Sequence, residues 1–144
     1  MKTRILRLCL PALACTVVLA LTVPSMAANV NLKADLKGAS EVPPVDTKGA
    51  GSVTATYDTA GKKLSWKGNV SGLSGPATAA HFHAGEAGKN GGVVVPIAGA
   101  DKGAFEGSAT LTDEQAAELM AGKWYVNVHT AANKGGEVRG QVTK

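Results

Sequence analysis

The chain has 144 residues, with fifteen lysines and arginines against eleven acidic residues, eighteen glycines and an aromatic content of 4%. Three of the basic residues, Lys2, Arg4 and Arg7, head the chain; without them the balance is twelve to eleven, which provides no basic surface for a nucleic-acid partner. Both cysteines, Cys9 and Cys15, lie in the same leading stretch, so the rest of the chain has no disulfide, no thiolate ligand and no cysteine nucleophile.

That leading stretch has the grammar of a secretory signal peptide. A basic start is followed by a mostly apolar run from Leu8 to Val23 and by the small residues of Ser25-Met26-Ala27. Cleavage is expected after Ala27, delivering residues 28–144 to the periplasm or the exterior. An uncleaved anchor is the alternative, and the small-residue site argues against it. A lipoprotein at Cys15 fits less well, because much of the apolar run follows that cysteine. The remaining 117 residues, Ala28 to Lys144, suit one domain with no membrane contact and a single core. Many glycines, few aromatics and short apolar runs predict short strands and tight turns, as in a β-sandwich or barrel.

Asn29 to about Leu36 alternates, with Val30, Leu32 and Ala34 on one face, and is the first predicted strand. Gly38–Gly51 is a loop holding Glu41-Val42-Pro43-Pro44-Val45, whose prolines remove two backbone donors and favour an extended path across the barrel end. Ser52–Tyr57 and Lys63–Val70 form a hairpin through Asp58-Thr59-Ala60-Gly61, with Trp66 on the core face. Ser71–Pro76 is a loop, and Thr78–Ala84 is the next strand, with Ala80 and Phe82 inward. The turn Gly85–Gly92 contains Asn90-Gly91; no helix start follows, so it is not a phosphate cradle. Val93–Ile97 is a short strand whose Pro96 suggests a sheet edge or a strand end.

Gly103–Leu111 is a further strand. One helix follows, near residues 112–121: Thr112 is its N-cap, Gln115 completes a capping box, Asp113 and Glu114 suit its N-terminal end, and Gly122 suits the C′ position. Ala116, Leu119 and Met120 form its apolar stripe, which predicts a lid on the barrel. Lys123–Thr130 and Glu137–Thr143 are the last strands. A hairpin between them would set Asn127 opposite Arg139 and His129 opposite Glu137, on an outward polar face.

The three histidines carry the chemistry. His81 and His83 are two apart on one strand, so they share a face about 7 Å apart at Cα and can converge on one ion. His129 lies on another polar strand face, and the expectation is that the fold brings it to the pair. Three imidazoles without a thiolate suit copper or zinc, and the Irving–Williams order favours copper. Glu137 or Asn127 could orient His129 from behind. The alternative is that the histidines are satisfied by hydrogen bonds alone. There is no nucleophile elbow and no paired-carboxylate signature.

Four segments, in order, resemble the CHRD domain, a module named from chordin and also found alone in secreted bacterial proteins. They are Glu41-Val42-Pro43-Pro44-Val45; Ala80-His81-Phe82-His83-Ala84-Gly85; Tyr125-Val126-Asn127-Val128-His129-Thr130; and Gly136-Glu137-Val138-Arg139-Gly140-Gln141-Val142. The His-x-His pair, the Gly-rich loop, the late Val-His and Gly136-Glu137-Val138-Arg139-Gly140 are also similar to the copper half of Cu/Zn superoxide dismutase, a Greek-key β-sandwich. That likeness implies copper ligands at His81, His83 and His129, and Arg139 as the cation that steers an anionic substrate. The departures are that the enzyme's copper has four histidines where this chain has three, and that its zinc cluster and disulfide have no counterpart. Three readings follow. One is a secreted or periplasmic copper-binding sandwich for storage, delivery or tolerance, exchanging metal with another protein there. The others are a dismutase-like copper enzyme and a metal-free extracellular binding module.

Overall fold

The computed structural model describes residues 28–144; the expected signal peptide, residues 1–27, lies outside the described residues. Eight strands form one antiparallel sheet: β1 (Asn29–Lys37), β2 (Ala50–Asp58), β3 (Lys63–Ser71), β4 (Ala77–Ala84), β5 (Val93–Pro96), β6 (Ala104–Thr110), β7 (Trp124–Thr130) and β8 (Val138–Gln141). The expected strands are all present, with ends moved by a few residues. Among the described residues the one α-helix, α1, spans Asp113–Met120.

The sheet order is β5-β4-β7-β8-β1-β2-β3-β6. β8 and β1 are held by the pair Lys37–Arg139, supplemented by a bridge between Lys33 and Thr143. The sheet folds over about this thin join. Trp66 of β3 and Phe82 of β4 stand five places apart in the order, yet their rings meet at 5.2 Å with a 69° angle between planes. The two halves therefore face one another as a sandwich, an all-β architecture as expected. Non-consecutive neighbours β3-β6, β4-β7 and β1-β8 are joined by returns from one half to the other, in the manner of Greek-key connections.

Alternation explains the core. Leu32, Ala34 and Leu36 of β1, Leu64 and Trp66 of β3, Ala80 and Phe82 of β4, and Trp124, Val126 and Val128 of β7 all point inward and are buried. Burying a side chain of Val, Leu or Phe size contributes roughly 1.5–3 kcal/mol. β5 and β6 are the two ends of the sheet, so Pro96 sits on an edge strand, where a missing N–H costs least.

The helix forms with the predicted caps. The Thr112 hydroxyl accepts from Gln115 N at 3.2 Å, and Thr112 N donates to Gln115 Oε1 at 3.0 Å. Gly122 has φ 72°, a left-handed conformation that closes a helix at little cost for glycine. Leu119 is buried, and Ala116 and Met120 pack on the core, so α1 does act as a cover. In the β2–β3 turn the positive φ falls on Lys62 (53°) and not on Gly61.

One expectation fails. The second face of β7 and β8 is not an outward polar surface: Tyr125, Asn127, Glu137 and Arg139 are all buried. Glu137 is enclosed by Thr47, Ser74 and Thr130, and the cover over Arg139 is the Glu41–Val45 segment together with the Gly85–Gly91 loop, tied to each other by Asn90 Nδ2 donating to Val42 O at 2.8 Å. The proline-stiffened segment thus helps to roof the polar face instead of merely crossing a barrel end.

Candidate metal centre

His81, His83 and His129 come together on this second face, each offering one ring nitrogen, with all three nitrogens within 4.8 Å of one another. The pairing of β4 with β7 explains why. Ala79 pairs with His129, His81 with Asn127 and His83 with Tyr125, so His129 stands diagonally from His81 on the same face. His81 and His129 are half-buried and His83 is buried, so the cluster opens to solvent on one side.

Backbone carbonyls set the tautomers. His83 Nδ1 lies 3.0 Å from Gly91 O, and His129 Nδ1 lies 2.9 Å from Lys134 O. A carbonyl only accepts, so both Nδ1 atoms carry the proton and both Nε2 atoms keep a bare lone pair. His129 Nε2 in turn lies 3.2 Å from His81 Nδ1. His83 Nε2 is buried and has no partner. An orphaned buried lone pair is costly unless something fills the site. Nitrogens bound at about 2.0–2.1 Å to a tetrahedral ion would lie roughly 3.3 Å apart. The separation of the His81 and His129 nitrogens matches that value.

Electrostatics keep the ligands ready. Burial lowers the pKa of His81, and positive charge on His129 or His83 would lower it further. Burial also lowers that of His83, against an opposing contribution from its bond to Gly91. Both imidazoles are therefore held toward the neutral, ligating form.

A stack stands behind His83. The Tyr125 ring lies parallel to the His83 ring, 4.8 Å between centroids and 7° between planes. The Arg139 guanidinium lies over the Tyr125 ring at 3.4 Å. β7 runs between β4 and β8, so His83 reaches Tyr125 from one side and Arg139 from the other. The tyrosine hydroxyl meets Gly91, accepting from its N at 3.2 Å. Gly91 is where a side chain cannot fit, because a Cβ there would collide with the Ala84 carbonyl.

The expected cross-strand register holds: Asn127 pairs with Arg139. The roles differ. Arg139 is 2% exposed, and it donates to Asn90 Oδ1 at 3.0 Å, Lys89 O at 2.6 Å and Glu86 O at 3.3 Å. It anchors the Gly85–Gly91 loop instead of presenting a charge to solvent. Glu137 does not orient His129 either. It is fully buried and accepts from Thr47 Oγ1 at 2.6 Å, Thr130 Oγ1 at 2.6 Å, and Ser74 N at 2.8 Å and Oγ at 2.5 Å. Burial pushes its carboxyl up, but the bonds from Ser74, Thr130 and Thr47 outweigh that and hold it at about 2.

Glu41 is the residue that sequence reasoning missed. It is 5% exposed, its Oε1 has no partner, and burial raises its pKa to about 7 even though the nearby Arg139 charge opposes the rise. The only hint was its place at the head of the proline segment, since loop burial is invisible to strand alternation.

A model of the family described as CHRD domain matches residues 32–142. No curated protein and no solved structure matches the chain.

Proposed function

The chain belongs to the CHRD domain family, and on that premise we propose that it binds copper through His81, His83 and His129, for storage, delivery or tolerance outside the cytoplasm. The observation that carries this reading is the convergence of three ring nitrogens, one of them buried and unpartnered. His83 Nε2 and His129 Nε2 have their lone pairs set by the Gly91 and Lys134 carbonyls, and His81 supplies Nδ1. The bound ion would bring Lewis acidity and, as copper, one-electron chemistry. The protein's own residues orient the rings and exclude water from His83. They also hold the Gly85–Gly91 loop closed through Arg139. The half-buried His81 and His129 leave an entry side for metal exchange with another periplasmic or extracellular protein. Among the described residues no helix is long and apolar enough to cross a membrane.

Binding is preferred to catalysis because a dismutase-like reaction draws a small anion to the metal. Arg139, the cation expected to do so, is buried and engaged. The test is a Cu(II) and Zn(II) titration of the purified metal-free protein by calorimetry, with EPR on the copper form. One tight site with nitrogen hyperfine structure, lost in His81→Gln and in His129→Gln, is the expected result. Binding no tighter than that of a generic surface histidine pair would overturn it. That outcome would leave a metal-free binding module.

A further inference from the structure

We infer that the side-chain oxygen of Asn127 is the fourth donor of the three-histidine centre, making it a three-nitrogen, one-oxygen site matched to Cu(II). The inference rests on the metal-binding reading and deepens it.

Three observations carry it. The first is position. Asn127 pairs with His81 across the strands and sits two residues before His129 and two after Tyr125, all on the face that holds the cluster. It therefore occupies the middle of the histidines' footprint. The second is an unmet need. Asn127 is 3% exposed, and its Oδ1 is buried with no hydrogen-bond partner. A buried amide oxygen left bare is destabilising, and a cation would satisfy it. The third is orientation. Asn127 Nδ2 donates to Gly135 O at 3.4 Å, a partner that accepts only an N–H. The neighbouring Gly136 abuts both Nδ2 and the Glu41 carboxyl, so the nitrogen end lies toward that glycine pair. The oxygen is left for the other side, on the sheet face where His81 is the cross-strand partner of Asn127. Asn127 Oδ1 and His83 Nε2 are thus both buried and bare, on one sheet face and one register step apart on neighbouring strands.

The donor set predicts a preference. Cu(I) is content with two or three nitrogens, whereas Cu(II) takes harder oxygen donors and a fourth position. An amide oxygen at that position would stabilise the oxidised ion selectively.

The experiment compares wild-type protein with Asn127→Leu and Asn127→Asp, each titrated with Cu(II) and, separately, with Cu(I) held by a competing chelator. EPR of the Cu(II) forms is recorded in parallel. For Asn127→Leu, Cu(II) affinity is expected to fall about tenfold or more, the scale on which metal-site partners act. Cu(I) affinity should change by less than about threefold. A tenfold change in that ratio raises the copper reduction potential by about 59 mV. Asn127→Asp keeps the shape and adds charge, so Cu(II) should bind more tightly with an altered EPR signal, even if the leucine variant folds poorly. Wild-type Cu(II) affinity and EPR in Asn127→Asp, or an equal loss of both oxidation states in a folded Asn127→Leu, would overturn the inference while the three-histidine site stands. Absence of copper binding in the wild type overturns both.

Discussion

At the scale of single residues, two buried carboxyls have opposite fates. Glu137 receives bonds from Thr47, Ser74 and Thr130 that stabilise its charge, whereas Glu41 is buried with one oxygen bare. Each sets a pH dependence of stability. The folded pKa of Glu137 is depressed to about 2 from 4.5, so its contribution is complete above about 4.5 and is lost as pH falls toward 2. Glu137→Gln is expected to cost about 3 kcal/mol at pH 7, and the difference from wild type should shrink in urea titrations run at decreasing pH through that window. Glu41 behaves oppositely. Its pKa is raised to about 7, so its contribution is complete below about 4.5 and is lost as pH rises through 7. Glu41→Gln should therefore gain stability relative to wild type between pH 4.5 and 7, reaching about 3 kcal/mol above 7. A pH-independent gap in the same urea titrations would show that Glu41 is not held neutral by burial.

At the scale of elements, the Gly85–Gly91 loop and the helix make contrasting cases. The loop has no ladder of its own; Arg139 holds it through Asn90, Lys89 and Glu86. Arg139→Met should leave β8 paired but free the loop, seen as faster hydrogen exchange and proteolysis within residues 86–91. Because Gly91 O fixes the His83 tautomer, copper affinity should fall about tenfold or more. Unchanged exchange in the loop would argue that the Asn90–Val42 tie suffices. The helix is held locally by its capping box. Thr112→Ala should cost about 1 kcal/mol in a urea midpoint measurement, with copper affinity unchanged. The capping bonds join only Thr112 and Gln115 and involve none of the three histidines, so the two effects should separate.

At the scale of the whole molecule, the metal centre links chain segments far apart in sequence. His81 and His83 come from β4, His129 from β7, and the roof from the Glu41–Val45 segment. An ion bound only by the assembled form stabilises the whole fold. At free copper near 100 times its dissociation constant the gain is about 2.7 kcal/mol. A scanning calorimetry experiment should show this as a higher midpoint for wild type and no change for His129→Gln. A rise of equal size in that variant would place the ion elsewhere.

Alternation by itself determined much of this protein. Period-two patterning assigned Phe82 inward and the two histidines to one shared face, and the Thr112–Gln115 spacing marked helix α1. It even set Asn127 opposite Arg139, because a hairpin register follows from local chain length and face matching. What alternation cannot specify is whether a polar face meets water or another part of the chain. That is decided by where non-local loops come to rest, and here the roof changes the chemistry of every residue beneath it. It turns Arg139 from an exposed cation into a buried anchor, makes Glu41 a carboxyl that titrates near neutrality, and leaves Asn127 Oδ1 and His83 Nε2 bare. Those properties come from desolvation and from partners distant in sequence, and only the tertiary structure decides them.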